Sequence, residues 1–267
     1  LLALNISKEV LEAFQTIDRV IGYSYTDQYE DNNREYDDFQ RISEKNEEKF
    51  AKWNDVAVEL QAKTKEIIAL VDEVRGALKN EAGEDEKGKI INMDDKEISI
   101  DVLIKGVDEK GGFGLGKKLK AAREEYKNYL FSLDSLGIYE GQDEFLINLE
   151  LALTTEDYLP EDAKSTVAPT SWETRFKDLP PVATLAFMNQ MKLDIGNTEG
   201  KILQFIRNKT GQSSITVNRQ EAVVKAPRQS IMLGDSFHAK VFVAGVDTNQ
   251  LPQFNIYRYN SEGERVD

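Results

Sequence analysis

Apolar and polar positions follow two different periods along this chain, and the change between them falls near residue 210. Ile6, Val10, Phe14, Ile17 and Ile21 recur at spacings of four, four, three and four. That spacing predicts an amphipathic helix, with Asn5 or Ser7 as its cap and Gly22 closing its clearest part. Phe39, Ile42, Phe50, Trp53, Val56, Leu60, Ile67, Val71, Val74 and Leu78 then keep a near-heptad rhythm, interrupted at Asn46 and at Lys63/Thr64. It predicts a second helix from Phe39 to about Lys79. At 1.5 Å per residue such a helix would be about 60 Å long. A one-sided apolar face of that length implies an elongated bundle or coiled coil.

Leu119, Ala122, Tyr126, Leu130 and Leu133 give a third helical stripe, closed by Gly137, and Asp143 to Leu153 gives a shorter one. The clearest helix follows Pro180-Pro181, which suit a first helical turn, with Asp178 as a plausible cap. Met188, Met191, Ile195, Ile202 and Phe205 lie on one face of it. Gly196 and Gly200 share one side. Each weakens a helix by roughly 1 kcal/mol against alanine, so their presence implies close approach of a neighbouring helix. Trp53, Phe39, Ile195 and Phe205 are read as core.

Strand-like alternation appears in two places. Ile98, Ile100 and Val102 alternate with polar residues, and Asp94-Asp95 reads as a turn, which predicts a β-hairpin inserted at 89–105. After Gly211 the period changes for good. Ile215 and Val217, then Phe237, Ala239, Val241 and Val243, then Ile256 and its neighbours alternate with polar positions, punctuated by Pro227, Gly234, Gly245 and Pro252. The expected architecture is therefore α+β and multidomain. An elongated α-helical bundle occupies 1–210, followed by an antiparallel β-sandwich-like domain at 215–267. About 55 residues is short for a sandwich of roughly 100, so this domain is expected to stop part-way.

Composition narrows the function without naming it. A net charge of −14 argues against nucleic acid and anionic membrane surfaces, which call for clustered Lys and Arg. With no cysteine, disulfides and thiolate zinc sites are excluded. No signal peptide or apolar run of about 20 residues is present, and the opening Leu1-Leu2-Ala3-Leu4, without an initiator Met, reads as the cut end of a longer chain. The acidic stretch Thr26–Asp38 reads as a solvated helix start or connection. Asp27, Glu30 and Asp31 lack the spacing of a metal-binding loop. Gly111, Gly116 and Lys117 fit part of a phosphate-binding loop, but Lys118 stands where a Ser or Thr hydroxyl is needed, and no β-α-β alternation surrounds it. Asn5-Ile6-Ser7 and Asn208-Lys209-Thr210 match the glycosylation sequon, a pattern common by chance. His238 falls on the polar side of its strand with no nucleophile pattern pointing to it. No catalytic residue, cofactor or metal ligand is named, and the chain is not read as an enzyme.

Three stretches resemble one family. Leu2-Ala3-Leu4-Asn5-Ile6-Ser7-Lys8-Glu9-Val10-Leu11-Glu12-Ala13-Phe14 resembles the segment where the single transmembrane helix of GldM/PorM proteins enters the periplasm. Trp172-Glu173 with Phe176, Pro180, Met191, Asp194 and Glu199 resembles the last helix of that family's first periplasmic domain, and Leu233-Gly234-Asp235-Ser236 is similar to the start of its second. The resemblance implies a dimeric periplasmic shaft of the type IX secretion and gliding apparatus, anchored in the inner membrane by a helix preceding residue 1. It implies a GldL/PorL ring around that helix, driven by the proton gradient, and contact with a GldK/GldN (PorK/PorN) ring through domains beyond residue 267. Asn5, Ile6, Lys8, Glu9, Leu11 and Phe14, next to the implied span, are the expected partner contacts. Two other readings remain open: an envelope stalk or scaffold without a motor partner, and, on the incomplete glycine-lysine motif, a nucleotide-binding enzyme.

Overall fold

A computed structural model describes residues 6–44, 47–105, 114–157, 170–210, 219–225, 239–246, 258–259 and 265–266. The chain divides into two compact units, 1–212 and 213–267.

The first unit is helical. Helices α1 (Lys8–Ser43) and α2 (Glu47–Ala82) have 36 residues each, about 54 Å at 1.5 Å per residue. Helix α1 does not stop at Gly22, and the acidic stretch 26–38 is part of it rather than a connection. Gly22 persists inside the helix because a Cβ there would lie 3.0 Å from the Asn189 amide nitrogen. The acidic face partly neutralises itself through pairs one turn apart, Asp31 with Arg34 and Asp38 with Arg41. The break between the two long helices thus falls after Phe39 and Ile42, not before them. In α2, Phe50, Ala57, Thr64, Val71 and Leu78, seven apart, are all buried, as are Leu60, Ile67 and Val74.

The hairpin expected at 89–105 is not formed. An isolated antiparallel bridge joins Glu84 to Ile90, and the alternating stretch is helical: α3 (Lys96–Ile100) runs into a π-helical turn, Asp101–Lys105. The Asp95 carboxylate accepts the Glu97 N–H at 3.1 Å and caps the start. Ile98 with Val102, and Ser99 with Leu103, are buried pairs four residues apart. A short run of alternating apolar residues satisfies a helical face as well as a strand, and the cap decides between them.

Helix α4 (Leu115–Ser132) ends in a 3-10 turn, Leu133–Leu136, closed by Gly137 at φ +71°. That is the left-handed cap expected of a glycine there. Helix α5 (Asp143–Leu153), a 3-10 turn at Trp172–Phe176, and α6 (Pro181–Lys209) complete the unit. Pro181 holds the first helical position. Pro180 precedes it at the cap, so Asp178 does not cap this helix.

Cross-contacts fix the directions. Helix α2 returns antiparallel to α1, with Asp18 against Arg75 and Ser43 against Asn54. Helix α6 runs parallel to α1: Asp18 faces Asn189, Asn32 faces Gly196 and Glu199, and Glu35 faces Arg207. Helix α4 packs antiparallel on α2 through Lys63–Glu125 and Lys118–Glu73, and α5 antiparallel on α4 through Lys127–Glu150. The core fills the space between them. Leu60, Val74, Leu119, Leu153, Met188 and Ile202 are fully buried; Phe39 and Ile195 are core as expected, and Trp53 and Phe205 pack half-buried against it.

In the second unit, β1 (Arg219–Lys225) pairs antiparallel with β2 (Lys240–Val246), Arg219 opposite Val246 and Lys225 opposite Lys240. Strands β3 (Arg258–Tyr259) and β4 (Arg265–Val266) form a second antiparallel pair. These two-stranded ladders are what the described residues contain of the expected sandwich. Ile215, Val217, Phe237, His238 and Ile256 lie outside the described residues.

Candidate functional site

Of the expected partner contacts, Lys8, Glu9, Leu11 and Phe14 lie on the first turns of α1 and Ile6 just before it. Lys8 and Glu9 are exposed, and Lys8 lies 4.0 Å from Glu12. The backbone N–H of Glu9 and the Ser7 hydroxyl hold the Glu9 carboxyl below its ordinary range. Ile6 and Phe14 pack partly buried on the core, whereas Leu11 is 5% exposed and belongs to it. A buried leucine offers a partner nothing. Asn5 lies outside the described residues. The surface available here is instead an apolar row at spacings of three, four and three, namely Val10, Ala13, Ile17 and Val20, all exposed. Among the described residues no helix is long and apolar enough to cross a membrane.

The glycine-lysine stretch has a packing explanation. A Cβ at Gly114 or at Gly116 would lie 2.5 Å from the Leu103 carbonyl oxygen. Both glycines therefore let the start of α4 press against the π-helical turn. Lys118 is committed to Glu73 of α2 at 2.9 Å. Of the loop itself, Gly111 lies outside the described residues.

The chemistry of the unit is concentrated where α1, α2 and α6 meet. Every seventh residue of α1 from Leu11 onward is Asp18, Tyr25, Asn32 and Phe39. In α6 the rows are Val182, Asn189, Gly196, Leu203 and Leu185, Lys192, Glu199, Ile206. Such rows form a coiled-coil seam, apolar at its ends and polar in its middle.

Three polar levels cross it. At the first, Arg75 of α2 donates to both carboxylate oxygens of Asp18, at 2.7 and 3.2 Å, and to the Leu185 carbonyl. The Asn189 amide donates to the Asp18 carboxylate at 2.9 Å and to its carbonyl at 2.8 Å. At the second, the Lys192 ammonium sits 2.7 Å from Asp72 and 4.3 Å above the Tyr25 ring, a cation–π contact added to an ion pair. Burial, then the charges of Asp72 and Glu199, push the Tyr25 phenol up.

At the third level, the Asn32 amide donates to the Gly196 carbonyl at 2.8 Å and to Glu199 at 2.9 Å, while its oxygen accepts from Gln28 at 2.8 Å. The Tyr36 hydroxyl donates to the other Glu199 oxygen at 2.8 Å. Thr64 of α2 bonds the Tyr126 hydroxyl of α4 at 2.9 Å. Asn32 is 2% exposed and Glu199 5%. The glycines make this depth possible, since a Cβ at Gly200 would lie 2.7 Å from the Asn32 side-chain oxygen.

Burial pushes the Glu199 carboxyl above its ordinary value of 4.5, against the opposing hydrogen bonds of Tyr36, Asn32 and Thr64. A folded-state pKa above the unfolded one means that the folded chain binds the extra proton, so this group's contribution to stability falls as pH rises from 4.5 through the folded pKa. Glu199→Gln should flatten that dependence. Melting temperatures of both proteins between about pH 4 and 8 check it: their difference should shift in favour of the Gln variant as pH rises, and parallel curves would refute the assignment.

Of the residues that carry the family resemblance here, Trp172, Glu173, Phe176, Pro180, Met191 and Glu199 are interior and Asp194 is half-buried. Asp18, Asn32, Arg75 and Asn189 are not legible as a site, because the partners are separated by up to 171 residues. The available signal is that polar positions 18, 25 and 32 continue the sevenfold row between Leu11 and Phe39.

The family model of the GldM N-terminal domain matches residues 9–209, about three quarters of the chain. Comparison with curated proteins finds no match. GldM proteins are components of the gliding and type IX secretion machinery, structural and motor-associated rather than known enzymes. A match of that extent, on a helical unit with the buried Trp172 and Glu199 in place, makes the chain a member of the GldM family.

Proposed function

We propose that this chain is the periplasmic shaft of a proton-driven inner-membrane motor, passing motion to an outer-membrane-associated complex for type IX secretion, gliding or both. The observation that carries this reading is the parallel run of α1 and α6. The chain begins α1 beyond the level where Asp18 meets Asn189 and ends α6 beyond the level where Glu35 meets Arg207. A pull or twist applied at one end is thus carried along paired helices rather than around a turn. In this reading a transmembrane helix precedes residue 1, and two copies associate. A GldL/PorL-like ring meets Ile6, Lys8, Glu9 and Phe14, and a GldK/GldN (PorK/PorN)-like ring is reached through domains beyond residue 267. The exposed row Val10, Ala13, Ile17 and Val20 supports an association surface on this part of α1.

The test is to solubilise the full-length protein gently from its native membrane and identify what co-purifies by mass spectrometry. A small two-span membrane protein in several copies per dimer is expected. Recovery of soluble or surface proteins alone would overturn the motor reading in favour of a stalk or scaffold.

A further inference from the structure

We infer that the buried polar levels are a register lock, fixing the axial position of α6 against α1 so that displacement of one is handed to the other without slip. Its purpose rests on the shaft reading; its geometry does not.

An apolar heptad seam repeats the same chemistry every seven residues. A shift of one heptad, about 10 Å, re-seats leucine on leucine and is weakly opposed. Polar residues in the seam are what distinguish one register from the next. Here the levels differ from one another: an anion gripped by Arg75 and Asn189, a cation held between Asp72 and Tyr25, and a carboxylate gripped by Asn32 and Tyr36. A one-heptad shift of α6 one way carries Glu199 to the level of Phe39. The other way carries Glu199 to the level of Tyr25 and Asp72, and Asn189 to that of Leu11. Each shift strands buried polar groups without partners. Sterics select the same register, because the Asn32 side chain lodges in the notch left by Gly200, where a Cβ would meet it at 2.7 Å. Helix α2, antiparallel to both, pins the pair from the side with Arg75 and Asp72.

The chain has no cysteine, so engineered pairs report register directly. Glu35→Cys with Arg207→Cys spans the native register, where the two residues form an ion pair. Ile42→Cys with Arg207→Cys spans a register shifted by one heptad. In the otherwise unaltered chain the 35–207 disulfide should form at least tenfold faster than the 42–207 one. Replacing the whole third level with apolar shapes, Asn32→Leu, Tyr36→Phe and Glu199→Leu together, should raise the 42–207 rate at least tenfold without lowering the melting temperature. A folded triple variant that still cross-links at 35–207 alone overturns the lock. Should the triple variant not fold, Asn32→Ala with Tyr36→Phe and Glu199→Gln empties the Gly200 notch and removes both donors to residue 199, and should raise the 42–207 rate about threefold; no rise overturns the lock. Secretion by cells carrying the cysteine-free variant separates the two ideas. Loosened register with unaltered secretion leaves the lock standing and removes the shaft reading, whereas unloosened register removes the lock whatever secretion does.

Discussion

Asp18→Ala is expected to destabilise the helical unit by about 3 kcal/mol, the scale of breaking a buried ion pair from one side. The Arg75 side chain is 12% exposed and the Asp18 side chain 19%, so neither is well hydrated. Without Asp18, the Arg75 guanidinium keeps the Leu185 carbonyl as an acceptor but no counter-charge, and Asn189 loses its bond to the carboxylate. Replacing both ion-pair partners by apolar residues of similar volume, Asp18→Leu with Arg75→Met, should cost far less, within about 1 kcal/mol, because no charge is left stranded. Urea unfolding followed by tryptophan fluorescence checks both. Equal losses in the single and double variants would mean that packing volume, not charge pairing, matters at this level.

The second large effect is expected at Gly116. Gly116→Val places side-chain atoms within 2.5 Å of the Leu103 carbonyl oxygen and 2.8 Å of the Glu173 Cβ. The first obstacle is backbone and the second belongs to a buried residue, so neither yields cheaply. Overpacking of this kind costs about 3 kcal/mol. Gly76 is the control. It lies inside α2, and a Cβ added there would meet nothing within 4 Å, so Gly76→Ala should stabilise by up to about 1 kcal/mol through helix propensity. If the two variants unfold at the same urea concentration, the close approach of α4 to the π-helical turn is not what Gly116 provides.

Much of the fold is written in the periodicities, and the parts that are not fail for identifiable reasons. The apolar stripes of α4, α5 and α6, and that of α2 from Phe50 onward, lie in the helices expected of them because their period is local; this holds even for α6, which is buried on most of its faces. Gly196 and Gly200 imply a close neighbour from sequence alone, and α1 is that neighbour. The interruption of the α2 rhythm at Thr64 is an interior hydroxyl bonded to Tyr126, not a lapse in the helix. Helix α1 is misjudged because a glycine and an acidic run normally end helices. Here Gly22 answers to Asn189 of α6. The acidic run is helical because Asn32 and Tyr36 within it face Glu199, while its exposed carboxylates pair with Arg34 and Arg41. The contacts with α6 lie beyond any local window. Residues 89–105 are misjudged because β-branched residues at every second position fit two periods, and the Asp95 cap settles the matter. The candidate site is the least legible part. A polar residue in a helical row reads as solvated until its buried partner is placed opposite.

The parallel pairing of α1 and α6 also bears on how the chain comes to be folded. The hydrogen bond from Asn32 to the Gly196 carbonyl joins residues 164 apart, so the seam cannot close until nearly the whole helical unit has been made. At roughly 5–20 residues per second of synthesis, α1 waits on the order of 10–30 s for its partner. During that wait a uniformly leucine-rich α1 would be a sticky surface for any other nascent helix. Asp18, Tyr25 and Asn32 in the middle of the row keep the waiting helix hydrated, and they discourage premature pairing with whatever else is near. The same polar residues that select a partner's position in the finished unit also leave this face of α1 less apolar than a leucine row would be while α6 is still being made.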